Sequence, residues 1–556
     1  MIIYRHRGRA LADNFTRSSL HFNSQRGKMK SFFAVWTSLV EAALLTMCAL
    51  TAGCGAGSIP SLTAGTVTGT QNPLVAMYTI RTGCLGQVMV EFGPTTSYGR
   101  STAWYPATTS DYTTVEVAGM RASTTYHMRS QVQCAANNGA ASTSPDITFT
   151  TGPLPSSPVN FPKLVVSRPN PSLSYTENPG IEYISVQDTD TPAYFTDRDG
   201  NVIWYYYTGA GSIAFPFKVL PNGNVLVSIT DAKTFSNLRE IDLAGNTIRE
   251  MTTTDLQHKM ADAGGFDFIP FGFTHDFAML PNGHVVVIVL CYKSFTDLPG
   301  YPGTMFVTGD ALVDLDQNWN PVWGWNSFDY LDVNRHLVDL PDWTHSNALL
   351  YSPNDGNLIL SVRNQSWILK IDYENGTGSG NVLWHLGYQG DFAVTNDGVP
   401  SDDPKLWFSL QHFPIILNQN GPVTTLGIFD NGNLRLFNSD GALCSFNSLG
   451  GTPLCYSRPV IFQVDESSMV ANIVWADTLS YYGQWGGAIN QFSNGNVEFE
   501  LNAPLVPPTP NLASYIQEVT GTTQQVVWQM NFFPAAAFAY RAYRVPSLYN
   551  GVTWQY

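Results

Sequence analysis

The segment Leu280-Pro281-Asn282-Gly283-His284-Val285-Val286-Val287 joins a Pro-Asn-Gly turn directly to a run of β-branched residues. Asn and Gly tolerate the positive φ angles of a tight turn between antiparallel strands, and Val favours the strand that follows. The segment therefore predicts a β-hairpin. Similar segments recur at Leu220-Pro221-Asn222-Gly223-Asn224-Val225, Asn354-Asp355-Gly356-Asn357-Leu358, Phe429-Asp430-Asn431-Gly432-Asn433-Leu434 and Phe492-Ser493-Asn494-Gly495-Asn496-Val497.

A second recurring element, apolar residues followed by tryptophan, alternates with these hairpins. Its members are Val202-Ile203-Trp204, Pro321-Val322-Trp323, Val382-Leu383-Trp384, Ile473-Val474-Trp475 and Val526-Val527-Trp528, with Asn246-Thr247-Ile248-Arg249 as a member that lacks the tryptophan. Units of tens of residues with all-β character are typical of β-propellers, whose four-stranded blades bury their faces against their neighbours. We therefore predict an all-β protein with a six-bladed β-propeller. A stacked array of β-sandwiches is the alternative.

The propeller is predicted to occupy residues 160–556 and to follow a smaller domain at residues 60–152. In that smaller domain, segments such as Gly86–Gly93 alternate apolar and polar residues, as half-buried antiparallel strands do. The order of these segments resembles a fibronectin type III-like β-sandwich, in which Tyr126 would be a core residue. Residues 153–159 are rich in Pro and Ser and are predicted to link the two domains.

Residues 1–53 have the features of a leader and signal peptide. Lys30 precedes a mostly apolar run that ends at Thr51-Ala52-Gly53-Cys54, and we expect translation to start at Met29. The ending resembles a bacterial lipoprotein cleavage site. We therefore expect a periplasmic protein that meets the outer membrane only through a lipid on Cys54. Secretion without a lipid and an uncleaved single-pass anchor are the alternatives.

The composition is that of a folded, acidic protein. Of the 556 residues, 44% are hydrophobic, 13% aromatic and 13% charged, and the formal net charge is −15. Removing residues 1–53 takes away seven basic and two acidic residues, which leaves a net charge near −20. Such a chain is not expected to bind nucleic acid. An anionic substrate would need positive charge concentrated in one site.

Five cysteines remain after Cys54. Cys84 and Cys134 lie within the predicted sandwich, and Cys444 and Cys455 bracket a loop rich in Gly, Ser and Asn. Because an exported protein meets oxidising conditions, we predict a disulfide within each pair. Cys291 lies in an apolar run and is predicted to be a buried free thiol.

Three of the ten histidines, His275, His345 and His412, precede predicted hairpins. The distances to the hairpin glycines are eight, eleven and twenty residues. Arg363 lies one strand beyond His345. Because several blades contribute to the central channel of a propeller, we expect these four side chains to converge there. Asp276 is expected to orient the ring of its neighbour His275.

A metal site is the alternative use of three histidines. However, no His-x-His or His-Glu-x-x-His spacing is present, so we predict no metal. Structural roles are expected for His127, His258, His284, His336 and His385.

The segments around these residues resemble those of the bacterial arylsulfate sulfotransferases. The resemblance spans most of residues 160–556 and rests on His275, His345-Ser346-Asn347, Ser361-Val362-Arg363-Asn364-Gln365-Ser366, Gln411-His412 and the C-terminal segment Ala539–Tyr549. It implies a small β-sandwich before a six-bladed propeller, in a periplasmic enzyme without a cofactor or nucleotide sulfate donor. It also implies a phenolic sulfate donor and a phenolic acceptor as partners, and it suggests a homodimer.

The resemblance further implies a role for each site residue. His412 would attack sulfur and carry the sulfuryl group as a covalent sulfohistidine. Arg363, His345 and Asn347 would bind the substrate and stabilise the negative charge of its oxygens. His275 would protonate the departing phenolate or deprotonate the acceptor.

Two other functions are compatible with a propeller of this composition. One is a non-catalytic cell-surface protein that binds a polymer or a protein partner. The other is a quinone-dependent dehydrogenase, although the sequence shows no recognisable calcium or quinone constellation.

Overall fold

The structure is a computed structural model of the chain. It describes residues 62–109, 111–137, 140–231, 235–436, 443–445, 454–505, 511–534 and 538–555. The predicted leader, the start at Met29 and the lipid-bearing Cys54 lie outside these residues. Ser61–Tyr556 forms one compact unit that is nearly all β, so the predicted all-β class is confirmed.

The N-terminal part consists of two antiparallel sheets around a common apolar core. One sheet contains β1 (Thr66–Gly69), β2 (Ala76–Arg81) and β6 (Tyr112–Val117). The other contains β3 (Gly86–Gly93), β4 (Arg100–Ser101), β5 (Tyr105–Ala107), β7 (Thr125–Cys134), β8 (Ala141–Thr143) and β9 (Ile147–Thr150). Every second residue of β7 is buried, and Tyr126 belongs to the core, as its alternating sequence predicts.

Six further sheets follow, and all their strand pairs are antiparallel except β26 with β31. Sheet I contains β11 (Ile181–Val186), β12 (Ala193–Thr196), β13 (Val202–Tyr206) and β36 (Ala539–Val545). Sheet II contains β14 (Ile213–Val219), β15 (Val225–Asp231), β16 (Phe235–Ile241) and β17 (Thr247–Thr252). Sheet III contains β18 (Gly272–Met279), β19 (Val285–Leu298), β20 (Tyr301–Leu315) and β21 (Pro321–Asn326).

The remaining three sheets complete the set. Sheet IV contains β22 (Ser346–Ser352), β23 (Asn357–Val362), β24 (Trp367–Ile371) and β25 (Val382–Leu386). Sheet V contains β26 (Ala393–Asn396), β27 (Val399–Pro400), β28 (His412–Asn420), β29 (Val423–Asp430), β30 (Arg458–Asp465) and β31 (Val470–Ala476). Sheet VI contains β10 (Lys163–Ser167), β32 (Ala488–Gln491), β33 (Val497–Asn502), β34 (Ser514–Val519) and β35 (Val526–Phe533).

One strand of each sheet, called here the inner strand, contacts its counterpart in the next sheet. The inner strands are β14, β18, β22, β28, β32 and β36, which touch one another in that order. The circle closes because β11, paired with β36, contacts β14. Side chains at one end of the inner strands can therefore meet in the middle.

Helical structure within the described residues is limited to short connections. The α-helices are α1 (Thr253–Ala263) and α2 (Ser327–Tyr330). The 3-10 turns are Ala135–Asn137, Pro171–Thr176, Arg363–Gln365, Glu374–Gly376 and Pro404–Leu406. Helix α1 begins with a capping box between Thr252 and Asp255, which satisfies backbone groups at its N-terminus.

The repeated tryptophan element marks the same strand in five of the six sheets, and its tryptophan-free counterpart marks that strand in sheet II. Counted from the inner strand, the fourth strands are β17, β21, β25, β31, β35 and β13. The five tryptophan elements lie in or at these strands, and Asn246-Thr247-Ile248-Arg249 enters β17. The two sequence elements together therefore predict six repeats in the correct order.

Four of the five predicted hairpins are present, and the one at Asn431-Gly432 is wrong. Asn431 and Gly432 follow the end of β29, and the next strand, β30, begins only at Arg458. The hairpin of sheet V instead turns at Gly421, which has a φ of +57°, between β28 and β29. His412 thus precedes its hairpin glycine by nine residues, which agrees with the other two histidines.

The predicted cysteine pairs are both present. Disulfides join Cys84 to Cys134 and Cys444 to Cys455. Cys291 is a buried free thiol, and burial raises its pKa, so it is not poised for reaction. Among the described residues, no helix has the length and apolar character needed to cross a bilayer.

The C-terminal residues return to the N-terminal sheets. Trp554 packs on Phe92 and donates from Nε1 to the carbonyl oxygen of Ser101 over 2.8 Å. The Tyr549 hydroxyl donates to the carbonyl oxygen of Glu116, also over 2.8 Å. The two N-terminal sheets are therefore held by side-chain contacts from Tyr549 and Trp554.

Candidate active site

The three predicted histidines lie at irregularities near the start of neighbouring inner strands. The pairing register of β18 with β19 shifts around His275, and that of β28 with β29 shifts directly after His412. His345 immediately precedes β22, whose register with β23 shifts between Ser346 and Ala348. His275 and His345 have φ values of +31° and +51°, and Phe413 has +42°. Such backbone is unfavourable for residues other than glycine and recurs at functional sites. The irregularities re-aim these side chains away from the regular ladder.

Aromatic residues occupy the matching position in the other three sheets. Phe215 lies at the register shift of β14, Tyr540 at that of β36, and Trp485 shortly before β32. We call these three residues and the three histidines the inner ring. The sequence signal for the aromatic members was one bulky ring at or just before the start of each of these three inner strands, which the hairpin-based spacing did not detect.

The structure brings the inner ring together around Tyr540. The centroid of the Tyr540 ring lies 4.4 Å from that of Phe215, 5.6 Å from His412, 6.1 Å from His275 and 6.2 Å from Trp485. The rings of His275 and His345 are 4.6 Å apart. The predicted histidines therefore share one site, and the ring of Tyr540 forms its inner wall.

Asn431 fixes the tautomer of His412. Its Nδ2 donates to the carbonyl oxygens of Gly483 and Gly486, each over 3.0 Å. Because carbonyl oxygens only accept, the amide must present Oδ1 to Nδ1 of His412, 2.7 Å away. Nδ1 therefore carries the proton. The lone pair of the neutral ring lies on Nε2, which has no hydrogen bond among the described residues.

The surroundings of His412 and His275 keep both rings neutral. Burial lowers the pKa of His412 well below its ordinary value, and the charge of Arg363 lowers it further. Burial also lowers the pKa of His275, with contributions from His345, Arg541 and Arg363. His412 is 2% exposed, so little water reaches the ring to stabilise a charge.

Arg363 supplies a positive charge that has no ion-pair contact among the described residues. It begins the 3-10 turn after β23, donates from Nη1 to Asn364 Oδ1 over 2.8 Å, and approaches the carbonyl oxygen of Gln484 at 3.5 Å. Its Nε is buried without a partner, and no described carboxylate forms an ion pair with it. Burial lowers its pKa. A guanidinium in this condition attracts an anion with several oxygens.

His345 is oriented by a carboxylate that the sequence analysis did not single out. Asp342 Oδ2 lies 2.6 Å from His345 Nδ1. Burial raises the pKa of Asp342, but its hydrogen bond to His345 and the charges of His345 and Arg363 lower it more. The ionised carboxylate accepts a hydrogen bond from Nδ1 of His345, so Nε2 is not used by this contact. The three-residue spacing from Asp342 to His345 was the available signal.

The prediction that Asp276 orients His275 is wrong. His275 Nδ1 contacts the Thr274 hydroxyl instead. The Asp276 carboxylate turns to Lys218, 2.7 Å away, and to Arg541 at 3.3 Å. A positive φ at His275 separates the directions of the two neighbouring side chains.

Asn347 lies directly behind the His412 segment. Its side chain is fully buried, its Nδ2 donates to the carbonyl oxygen of Gln411 over 2.7 Å, and its own carbonyl oxygen accepts from Arg541. The contact with Gln411 fixes the peptide that leads into His412. Substrate binding by Asn347 stays a prediction.

No group of three or more His, Cys, Asp or Glu side chains is arranged to hold a metal ion in the part of the chain that the structure describes. The candidate site instead combines the inner ring, which has three imidazoles and three aromatic rings, with the guanidinium of Arg363.

Comparison with protein families identifies the chain. The sequence model of the arylsulfotransferase (ASST) family matches residues 141–544. This range is more than half of the chain and includes every histidine of the inner ring. The chain belongs to the arylsulfotransferase family. Membership supports an enzyme that transfers sulfuryl groups from a phenolic sulfate donor to a phenolic acceptor without a nucleotide sulfate donor.

Two solved structures are similar to this arylsulfotransferase family member at low identity and low TM-score. A protein of unknown function from Bacteroides caccae has 9% identity and a TM-score of 0.38, covering 66% of this chain and 98% of that one. Dihydro-heme d1 dehydrogenase NirN in complex with DHE has 12% identity and a TM-score of 0.29, covering 68% and 80%. A comparison with curated proteins gave no significant match.

Proposed function

We propose that the protein moves a sulfuryl group from a phenolic sulfate ester to a phenolic acceptor through a covalent sulfohistidine at His412. The observation that carries this proposal is the contact between Asn431 and His412. It leaves the Nε2 lone pair free in a buried, neutral imidazole beside the unpaired Arg363. These are the requirements for nucleophilic attack on an anionic sulfur centre.

In the first half-reaction, the Nε2 lone pair of His412 forms a bond to sulfur. The bond between sulfur and the phenolic oxygen breaks, and its electron pair leaves with the phenolate. The ring becomes positively charged, so its Nδ1 proton binds the Asn431 oxygen more strongly than before. Asn431 therefore favours the intermediate over the free histidine, which is the condition for catalysis by binding.

In the second half-reaction, the acceptor phenol loses its proton and its oxygen attacks sulfur. The bond between sulfur and Nε2 breaks, and the lone pair returns to His412. Leaving group and acceptor are both phenols, so one site serves both steps in opposite directions. The aromatic members of the inner ring, Phe215, Trp485 and Tyr540, offer surfaces on which a phenol ring can stack.

The proton that these steps require is assigned to His345, with His275 as a neutral neighbour. His345, whose Nδ1 lies 2.6 Å from Asp342 Oδ2, donates a proton to the departing phenolate in the first half-reaction and takes one back from the acceptor phenol in the second. Burial and three nearby groups that carry positive charge when protonated lower the pKa of His275 and make its ring a weak base. His275 is therefore assigned no proton transfer and serves as a neutral wall of the site.

Arg363 is assigned to the oxygens of the transferring group. Negative charge shifts among these oxygens as the bonds exchange, and a fixed guanidinium in a dry site stabilises it without reorganisation. Support comes from its lack of an ion-pair partner among the described residues and from its buried Nε.

The scaffold and location belong to the same proposal. The closed circle of inner strands supports sheets I to VI as the blades of a six-bladed β-propeller, rather than a stacked array of sandwiches. The two N-terminal sheets support a fibronectin type III-like sandwich. We further propose a periplasmic protein, lipid-anchored at Cys54 and dimeric. The two disulfides agree with an oxidising compartment.

The test is detection of the intermediate. The purified protein is mixed with para-nitrophenyl sulfate without acceptor, quenched without acid, digested and analysed by mass spectrometry. The proposal expects an added mass of about 80 Da, that of SO₃, on the peptide with His412, and its loss after phenol is added. A His258→Ala variant should keep the adduct, because His258 is exposed on α1. An adduct on another residue, or transfer without any adduct, would refute the assignment.

A further inference from the structure

A cavity of about 350 Å³ lies between sheets IV and V, apart from the inner ring. Its wall includes Arg335, Tyr388, Trp407 and Phe408, but none of the three site histidines, Arg363 or Tyr540. The volume is in the range of sites for small organic ligands.

The cavity opens at the same end of the sheets as the candidate active site. Arg335 lies in the connection into β22, Tyr388 follows β25, and Trp407 precedes β28. Because neighbouring antiparallel strands run in opposite directions, these connections lie at the end where His345 and His412 begin their strands. A ligand in the cavity would therefore be a neighbour of the active site without entering it.

Arg335 is held rigidly on one side of the cavity. Its Cζ lies 3.5 Å from the centroid of the Trp367 ring. Its Nη1 donates to the carbonyl oxygen of Gln365 over 2.7 Å and to Gln365 Oε1 over 2.8 Å. Trp343 donates from Nε1 to the Arg335 carbonyl oxygen over 2.9 Å. A stacked guanidinium with fixed partners loses little freedom when it binds a further group.

The charge of Arg335 is not compensated by the protein. Among the described residues, no carboxylate forms an ion pair with it, and its Nε and Nη2 make no hydrogen bond. Burial lowers its pKa to about 10, and no acidic group opposes this effect. Arg435, which also lines the cavity, differs because it is paired with Asp430 at 2.6 Å. Arg335 therefore has donors left for an anion.

One short turn connects the two unpaired guanidinium groups. The 3-10 turn Arg363–Gln365 carries Arg363 at its first residue, on the side of the active site. Its last residue, Gln365, supplies both oxygens that hold Arg335. The turn is thus shared by the active site and the cavity.

We propose that the cavity is a second, non-catalytic binding site for a small aromatic anion. The anionic group would bind Nε and Nη2 of Arg335, and the ring would pack on Tyr388, Trp407 and Phe408. An aryl sulfate and an arene carboxylate share this chemistry. Because the rest of the protein is strongly acidic, the attraction must come from the local guanidinium.

The test measures binding by calorimetry and does not depend on sulfuryl transfer. Para-nitrobenzoate is titrated into the full-length protein, and para-nitrophenyl sulfate is titrated into the His412→Ala protein, where turnover is absent under the proposed mechanism. The neutral para-nitrobenzamide serves as a ligand control. If the proposal is correct, Arg335→Gln has one binding site fewer than its parent, or binds that site about 10- to 100-fold more weakly. The benzamide should bind both proteins equally.

Two further variants keep the result interpretable. Arg249→Gln removes another guanidinium that stacks on a tryptophan, Trp319, but lies in sheet II, and it should bind like the parent. Leu337→Trp fills the cavity from a residue that is 43% exposed, so the fold should tolerate it, and it should lose the same site. Parental binding in Arg335→Gln or Leu337→Trp would overturn the proposal, as would equal loss in Arg249→Gln. Loss with only one of the two anions identifies which class the site prefers.

Discussion

Asn431 Oδ1 lies 2.7 Å from Nδ1 of His412, and the amide that carries this oxygen is fixed by two backbone carbonyls. Asn431 is the first residue after β29, just as Arg363 is the first residue after β23. The same point of two neighbouring sheets therefore provides the group that orients His412 and the guanidinium proposed to bind the transferring group.

Replacing Asn431 tests its role as a positioning residue. Asn431→Ala should lower kcat by about 10- to 100-fold, because His412 loses the acceptor that fixes its tautomer. Asn431→Asp should instead place a negative charge beside the ring and raise the pKa of His412. The acid limb of the pH profile of kcat/KM would then move to higher pH, which a loss of packing alone would not produce. An unchanged profile in Asn431→Asp would contradict the assignment.

The acid limb of the wild-type enzyme should lie below the ordinary pKa of histidine, about 6.5. Attack requires neutral His412, and burial together with Arg363 lowers its pKa well below that value. Initial rates with para-nitrophenyl sulfate and phenol, measured from pH 4.5 to 8, should be nearly constant down to about pH 6. A steep loss of kcat/KM between pH 8 and 6.5 would show that His412 is charged there.

The free energy of unfolding should decrease as the pH is lowered through the same range. For His275 and His412, the folded-state pKa lies below the unfolded value, so the unfolded chain binds more protons once the pH falls below about 6.5. The protein therefore loses stability as pH decreases from this value toward the folded-state pKa. Thermal unfolding of His412→Gln should depend less on pH than that of the wild type. Equal slopes would mean that His412 titrates normally in the folded protein.

The charge of Arg363 should not be replaceable by lysine. Arg363→Lys should lose at least about 100-fold in kcat/KM, because an ammonium lacks the planar set of donors that contacts two oxygens at once. Arg249→Lys, remote from the site, is the matched control and should remain within about twofold of the wild type. Near-normal activity of Arg363→Lys would reduce its role to general electrostatics.

The phenol ring of Tyr540, rather than its hydroxyl, should matter. The hydroxyl is buried and has no hydrogen-bond partner among the described residues. The ring, in contrast, packs near four other members of the inner ring. Tyr540→Phe should keep activity and unfolding temperature close to normal. Tyr540→Ala should remove the inner wall of the site and destabilise the protein by about 3–5 kcal/mol. Chemical denaturation and steady-state kinetics on both variants check this.

Local signals predicted much of the fold. The Asn-Gly turns, the tryptophan elements and the cysteine pairs are each read within a few residues, and all except the hairpin at Asn431 correspond to the structure. At Asn431-Gly432 the same dipeptide follows a strand instead of joining two, because its amide is used by Gly483, Gly486 and His412. A turn signal alone does not reveal such distant partners.

The sequence predicted the three histidines of the site but not the residues that support them. His275 and His345 stand at similar distances from their hairpin glycines, which sequence spacing detects, whereas His412 was singled out by the resemblance of its segment because its hairpin was placed at the wrong glycine. The partners of Asp276 are Lys218 and Arg541, which lie far away in the chain and become neighbours only when the circle of sheets closes. Tyr540 joins the site for the same reason. Pairings between distant strands are set by the whole fold, so no local pattern carries them.

The pairing of β36 with β11 has a consequence for the synthesis of the protein. Tyr540 and Arg541 are synthesised after all three site histidines, yet they complete sheet I and the inner wall of the candidate active site. A nascent or truncated chain that ends before residue 538 contains all three site histidines but lacks the strand that holds them in one chamber. We therefore expect chains that stop before residue 538 to be inactive.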